Sequence, residues 1–338
     1  NIHMLKMSTI LWLSVFLSNC TGITNTSNTT QNAKPNIVIF YVDDLGYGDL
    51  SAYGAKAVNT PNIDKLAQNG IRFTDAHSSA STCTPSRYSL LTGEYAFRND
   101  AKVLPGDAPL IIDMKKPTMA TMLSSAGYQT AVVGKWHLGL GDGQSDVNWN
   151  THIKPGPNEV GFDYSFLLPA TGDRVPSVYM EDGRVVNLDP ADPLKVSYVK
   201  KIGQRPTGSE QPELLRYGAD PQHSNTIVNG ISRIGFMQGG KSAEWVDEDF
   251  YQIFTNKANA FISANSNKPF FLFFSFHDIH VPRLPAQQFL GKSDLGIRGD
   301  AIVQMDYITG QVTKHLQKLD LLDNTIIVFT SDNGPVLN

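Results

Sequence analysis

The sequence predicts a doubly wound, mostly parallel α/β sheet with helices on both faces. Three observations support this. The strongest strand candidates, Asn36–Val42 and Pro269–Phe276, are continuous apolar runs rather than alternating ones, as expected of strands covered on both sides. They alternate along the chain with segments of helical period, which is the pattern of a parallel sheet. Polar clusters follow the strand candidates directly, and open α/β sheets bind ligands beyond the carboxyl ends of their strands.

In order, the run Asn36–Val42 gives the first strand, and Thr60-Pro61 caps a helix through Leu66 that Gly70 closes. Ile71-Arg72-Phe73-Thr74 reads as a short strand leading to the loop of Cys83. Thr118 to Ser125 is a helix stopped by Gly127, and Gln129 to Val133 is the next strand. Asp247 to Ala264 is a helix before the Pro269–Phe276 strand. Asp300 to Leu319 is the last helix and Thr325 to Phe329 the last strand. Between Gly141 and Ala243 the chain is rich in Gly, Pro, Asp and Asn with weak periodicity, and is expected to form long insertions and a rim facing the ligand.

The chain has 338 residues, 41% hydrophobic and 18% charged, with a net charge of -4. That is enough to bury a large core in one domain or two. No basic run suggests nucleic-acid binding, although a locally positive site can still hold an anion. At the N-terminus a basic start precedes the apolar run Ile10–Leu17, too short to span a bilayer comfortably and typical of a secretory signal. The run ends in Leu17-Ser18-Asn19-Cys20, which resembles a bacterial lipobox with Cys20 as the lipid-bearing residue; ordinary signal cleavage is the alternative. Residues 1–20 are therefore expected to be a signal peptide, 21–35 a flexible tether, and 36–338 the folded domain. Export to the periplasm or the outer-membrane surface follows, with any membrane attachment through lipid at Cys20.

Cys20 and Cys83 are the two cysteines. If Cys20 is lipidated or removed, Cys83 has no disulfide partner, which flags special chemistry. The stretch Ser81-Thr82-Cys83-Thr84-Pro85-Ser86-Arg87 places it at a helix start, where Pro85 fits the first turn. Free N–H groups and partial positive charge favour an anion there, and Arg87 adds a cation on the same side.

Asp43-Asp44 follows the first strand and Asp332-Asn333 the last. Their hard oxygen donors suit Ca²⁺, with Mg²⁺ second. Either pair alone would be ordinary turn chemistry; the two together with Cys83 favour a shared site. Gly134-Lys135-Trp136-His137-Leu138-Gly139 follows another strand, and His277-Asp278-Ile279-His280-Val281-Pro282 follows the Pro269–Phe276 run. These stretches point to anion clamping by Lys135 and acid/base work by histidine.

Together these residues resemble the type I sulfatases of the alkaline phosphatase superfamily, from about Pro35 to the last residue. Cys83-Thr84-Pro85-Ser86-Arg87 with Leu91-Thr92-Gly93 matches the signature C-x-P-S-R…L-T-G. Its core would occur by chance on the order of once in a thousand chains of this size. Gly134–Gly139 and Asp332-Asn333-Gly334 match two further blocks in the right order.

The resemblance implies that a formylglycine-generating or anaerobic maturase enzyme converts Cys83 to formylglycine (3-oxoalanine). One hydroxyl of the hydrated aldehyde would attack the sulfur of a sulfate ester, and the other would let the aldehyde re-form. By the same resemblance Asp43, Asp44, Asp332 and Asn333 would bind Ca²⁺ with the modified Cys83. Arg87 and His137 would hold and activate the hydrate, Lys135 would pair with sulfate oxygens, and His280 would protonate or bridge the leaving oxygen. His277 would be supporting or structural. The family's smaller C-terminal subdomain is not recognisable, so that part is expected to be missing. The expected activity is sulfuric ester hydrolysis on a sulfated saccharide. The alternatives are a phosphonate or phosphodiester hydrolase of the same superfamily and a non-catalytic glycan-binding relative. Asp173-Arg174 and His223 could contact a sugar, but their simpler reading is as solvated loop residues.

Overall fold

Strand β1 (Asn36–Val42) sits deep in the sheet because both its faces are apolar. Val38, Phe40 and Val42 enter one core, and Ile39 and Tyr41 enter the other. In the computed structural model, residues 34–336 are described; the apolar run, Cys20 and most of the expected tether lie outside them. After β1 come α1 (Pro61–Asn69), α2 (Cys83–Thr92), α3 (Met119–Ser125), β2 (Gln129–Lys135) and β3 (Tyr164–Leu168). The short pieces β4 (Met180–Glu181), β5 (Arg184–Val185), β6 (Lys195–Ser197), β7 (Ile227–Val228), β8 (Ile231–Ser232) and β9 (Phe236–Gln238) follow. Helix α4 (Phe250–Ala264), strand β10 (Phe270–Ser275), helix α5 (Gly296–Lys318) and strand β11 (Thr325–Ser331) complete the order.

The main sheet runs β11-β1-β10-β2-β3-β4-β5. Its first five strands are parallel, and β4 and β5 extend it antiparallel. Helices α1, α4 and α5 cover one face through Ile63, Phe254, Ile262, Ile302 and Ile308. Helices α2 and α3 cover the other through Tyr88, Leu91, Ala120 and Leu123. The doubly wound expectation is met. Since β10 and β11 lie on opposite sides of β1, the carboxyl ends of β11, β1, β10 and β2 stand side by side, where such a sheet holds its ligand.

Two expectations need correction. Ile71–Thr74 forms no strand: Ile71 and Phe73 are exposed, and the Phe73 carbonyl accepts from the Tyr53 hydroxyl at 2.8 Å rather than from a neighbouring strand. β-branched and aromatic residues favour strands only where a pleated surface is available to pack on, so Cys83 does not follow a strand. The middle of the chain is more than rim. β6 pairs with β9 and β7 with β8, while Trp149, Val175, Leu194 and Met237 are buried in the core of the second face. Asp247 to Asp249 form a 3₁₀ turn ahead of α4, and α5 begins at Gly296, four residues before the expected Asp300.

Strand β11 is half covered, with Ile326 50% and Val328 40% exposed. Among the described residues, no helix is long and apolar enough to cross a membrane.

Candidate active site

Cys83 is the first residue of α2, with Thr82 in extended conformation ahead of it and the Ser86 N–H donating to the Thr82 carbonyl at 3.2 Å. Helix α2 buries Cys83, Thr84, Ser86, Arg87, Tyr88, Ser89 and Leu91, so its polar side chains must find partners inside the protein. It ends at Gly93, whose left-handed backbone (φ 69°) accounts for the glycine of the L-T-G run.

The Gly134–Gly139 block is shaped by close approaches. A Cβ on Gly134 (φ 110°) would lie 1.9 Å from the Ser275 carbonyl oxygen of β10, and one on Gly139 would lie 1.8 Å from the Pro109 oxygen. Only glycine lets β2 run this close and then turn. Trp136 donates its indole N–H to the Gly139 carbonyl at 2.9 Å, which fixes the turn that presents His137. The Nε2 of His137 donates to the Leu104 carbonyl at 2.8 Å, so its Nδ1 is an acceptor, and the Cys83 thiol donates to that atom at 3.3 Å. Burial, with Lys135 and Arg174 nearby, holds His137 well below the usual imidazole range, so it is neutral. Burial pushes the Cys83 thiol up, although Lys135 and Arg87 oppose this, so the thiol is not poised as a thiolate nucleophile.

Asp43, Asp44 and Asp332 bring carboxylate oxygens within 4.8 Å of one another, all buried. The Asn333 amide donates to Asp44 Oδ1 at 2.7 Å. Arg87 donates to Asp332 Oδ2 at 2.9 Å and to the Lys135 carbonyl at 3.2 Å, reaches Ser275 Oγ, and lies 3.8 Å from Asp43 Oδ1. Its guanidinium also lies over the Tyr41 ring at 5.3 Å. Lys135, fully buried, places its ammonium on Asp43 Oδ2. Two cations therefore face three carboxylates. Asp332 carries the imbalance: burial first and the Asp43 charge second raise it to about 7, against the pull of Arg87 and Lys135. Burial also works against ionised Asp43, but Lys135, His280 and Arg87 prevail and hold it well below the carboxylate range.

A divalent cation fits this donor set. Asp43 Oδ1 and Asn333 Oδ1 are buried without a hydrogen-bond partner, and buried oxygens normally have one. The cluster is all oxygen and has one net negative charge too many, which a hard cation such as Ca²⁺ would relieve.

His280 donates from Nδ1 to the Val281 carbonyl at 2.6 Å, leaving Nε2 facing Asp44 Oδ2 at 4.0 Å. Burial pushes it below the usual histidine range. His277 accepts the Gly172 N–H on Nε2 at 2.9 Å, and its Nδ1 lies 3.9 Å from Asp43 Oδ2. Asp43, His277 and His280 thus form a second compact group.

The residues proposed from sequence converge on one site. Two details differ from the implied roles. Arg87 makes no hydrogen bond to Cys83 among the described residues and acts on it through charge, and Lys135 is engaged by Asp43. Sequence reasoning missed Tyr41 and Ser275, which bracket Arg87. It also misjudged Asp173, Arg174 and His223. Asp173 is buried, not a solvated loop residue, and accepts from Thr171, Arg174 and His223. Burial opposes its ionisation, but Arg174, His280 and His223 keep it far below the ordinary range.

With this geometry in hand, comparison with known proteins agrees on the class. The chain belongs to the sulfatase family, whose model matches residues 35–338. It is 52% identical over 323 residues to an N-acetylgalactosamine-6-O-sulfatase of Bacteroides thetaiotaomicron, covering 95% of this chain and 63% of that protein. It is 32% identical to human arylsulfatase H, covering 90% of this chain and 58% of the relative. A solved structure from a study of glycosaminoglycan metabolism by Bacteroides thetaiotaomicron superposes with a TM-score of 0.88 at 54% identity, covering 90% of this chain and 63% of that one. The chain thus spans somewhat under two thirds of the length of these relatives.

Proposed function

We propose that this chain is the catalytic part of an exported sulfuric ester hydrolase that removes sulfate from a carbohydrate, a 6-O-sulfated N-acetylgalactosamine unit being the favoured substrate. The observation that carries this reading is the pairing of Cys83 with an acceptor nitrogen of neutral His137 beside a buried, under-neutralised oxygen cluster. The substrate preference rests on the 52% identity to the N-acetylgalactosamine-6-O-sulfatase.

In this reading Cys83 is matured to formylglycine, whose hydrate offers a hydroxyl where the thiol now meets His137. Ca²⁺ held by Asp43, Asp44, Asp332, Asn333 and residue 83 would supply positive charge that polarises the sulfate and acidifies that hydroxyl. The chain's own groups do the rest. His137, kept in its acceptor tautomer by Leu104, takes the proton from residue 83. Arg87 holds Asp332 and Asp43 in place. Lys135 keeps donor hydrogens beyond Asp43 for a sulfate oxygen. His280 directs Nε2 into the site and delivers a proton to the leaving oxygen. An anionic ester bound beside it offsets the burial that otherwise keeps this ring neutral. We also infer export with a lipid or cleaved signal at Cys20, and a maturase as the partner that modifies Cys83.

Two measurements test the reading. The tryptic peptide ending at Arg87 should react with an aminooxy reagent and resist iodoacetamide in protein from its native host; an alkylated, unmodified thiol defeats the mechanism. Sulfate ester turnover should exceed phosphodiester turnover on matched aryl esters; the reverse order selects the phosphorus ester alternative, and turnover of neither selects the glycan-binding one.

A further inference from the structure

Beside the cation cluster, a second set of charged side chains is assembled from distant parts of the chain. Asp173 and Arg174 lie on the segment after β3, and His223 comes from the rim. Arg174 spends a single nitrogen on its partners. It donates to Thr171 Oγ1 at 3.0 Å and to the two Asp173 oxygens at 2.8 and 3.0 Å. Its Nε and other terminal nitrogen carry no hydrogen bond among the described residues, although the side chain is only 11% exposed. A guanidinium this deep normally uses more of its five donors. Asp173 and His223 have no such capacity left. Thr171, Arg174 and His223 fill the acceptor sites of the Asp173 carboxylate. The His223 ring is held at 3.1 Å by Asp173 and at 2.8 Å by Asp220.

The backbone beneath this set is rigid. The Gly172 N–H is taken by His277, and the Gly172 carbonyl by Arg233, which Asp247 grips at 2.8 and 2.7 Å. Ile234 donates its N–H to the Asp173 carbonyl at 2.7 Å. A cavity of about 490 Å³ opens alongside, walled by Asp220 and His223 on one side and by Val281 and Pro282 on the other. The same walls carry the His223 bond to Asp173 and the Val281 carbonyl that orients His280. The space falls in the range of pockets that hold a small ligand, and it reaches this set through His223, which bonds Asp173, the partner of Arg174. Arg174 and Asp173 balance in charge, and Asp173 and Asp220 favour the protonated form of His223, so the set offers directed donors with their charges largely paired. That suits a neutral oxygen better than a second anion.

We propose that Arg174 reads the sugar carrying the sulfate, its open guanidinium edge donating to a hydroxyl of that pyranose while Asp173 and His223 hold it in position. The proposal rests on the sulfatase reading and adds to it the group that selects carbohydrate over a plain sulfate ester. Charge on Arg174 reaches the inner site as well, since it helps keep His137 neutral.

The test compares two substrates in the matured full chain with Ca²⁺: a 6-O-sulfated N-acetylgalactosamine saccharide and para-nitrophenyl sulfate, which has no sugar. The measured quantity is the ratio of the two kcat/KM values. Arg174→Ala should lower this ratio about 10- to 100-fold, the loss expected for a hydrogen bond from a charged donor. Arg174→Lys keeps a cation on Asp173 but lacks the fork, and should lower the ratio in the same direction with a melting temperature near wild type. If Arg174→Ala fails to fold, the lysine variant decides. An unchanged ratio, with both substrates losing equally or neither losing, overturns the sugar-reading role while leaving the sulfatase reading intact. A wild-type chain that hydrolyses neither ester overturns the sulfatase reading and this proposal with it.

Discussion

Replacing Arg87 by methionine tests how the site balances its charges. The guanidinium is 1% exposed and lies 2.9 Å from Asp332 and 3.8 Å from Asp43, with Ser275, the Lys135 carbonyl and the Tyr41 ring as further partners. Methionine fills much of the same volume but leaves Asp332 Oδ2 without a donor and two buried carboxylates facing each other. Removing one partner of a buried ion pair costs about 3–5 kcal/mol, on the order of 10 °C in melting temperature for a domain this large. The cost should depend on pH in a definite direction. Asp332 titrates in the fold at about 7 even with Arg87 present, and without that cation its pKa rises further. A carboxyl whose folded pKa is raised lowers stability as pH rises through that pKa. At pH 6 both proteins hold the proton, and the difference between them is smallest. Above 7 the wild type ionises while the variant does not, and the gap widens by about 1.4 kcal/mol per pH unit until the variant also ionises. Saturating Ca²⁺ should narrow the gap, because it supplies the missing charge. Urea unfolding at pH 6 and pH 8.5, with Ca²⁺ and with chelator, measures all of this. A cost below about 1 kcal/mol at pH 8.5 in chelator, or a gap that shrinks as pH rises, refutes the charge account.

Two further outcomes follow from the block Gly134–Gly139. Gly134→Ala forces a Cβ against the Ser275 carbonyl oxygen at a positive φ and should destabilise the sheet by about 2–4 kcal/mol, read from denaturant midpoints; a midpoint equal to wild type would show that β2 and β10 can separate freely. His137→Gln should lower kcat about a hundred- to ten-thousand-fold with little change in melting temperature at pH 7.5. Because the folded pKa of His137 is depressed, wild type should lose stability relative to this variant as pH falls below about 6.5, and parallel pH profiles would count against a buried neutral ring.

How much of this was legible in the sequence follows the range of the interactions. β1 and β10 were plain because each is apolar on both faces, a condition met only inside a covered sheet. The cluster of Asp43, Asp44, Asp332 and Asn333 was legible because each part is a short run at a strand exit, and a doubly wound order brings such exits to one edge. Ile71–Thr74 had the composition of a strand but no neighbour to pair with, and nothing in four residues reveals whether an edge is available. Asp173 and His223 failed for the opposite reason. They meet across 50 residues in a stretch without periodicity, so each looked like a solvated loop residue although Asp173 is buried and bonds the half-buried His223 at 3.1 Å. Arg233 and Asp247, both buried and joined by two hydrogen bonds, are the same case. A charged residue in an irregular segment is not thereby solvated. Gly172 lies in the irregular stretch between β3 and β4, and the buried Arg233–Asp247 pair holds its carbonyl in one position.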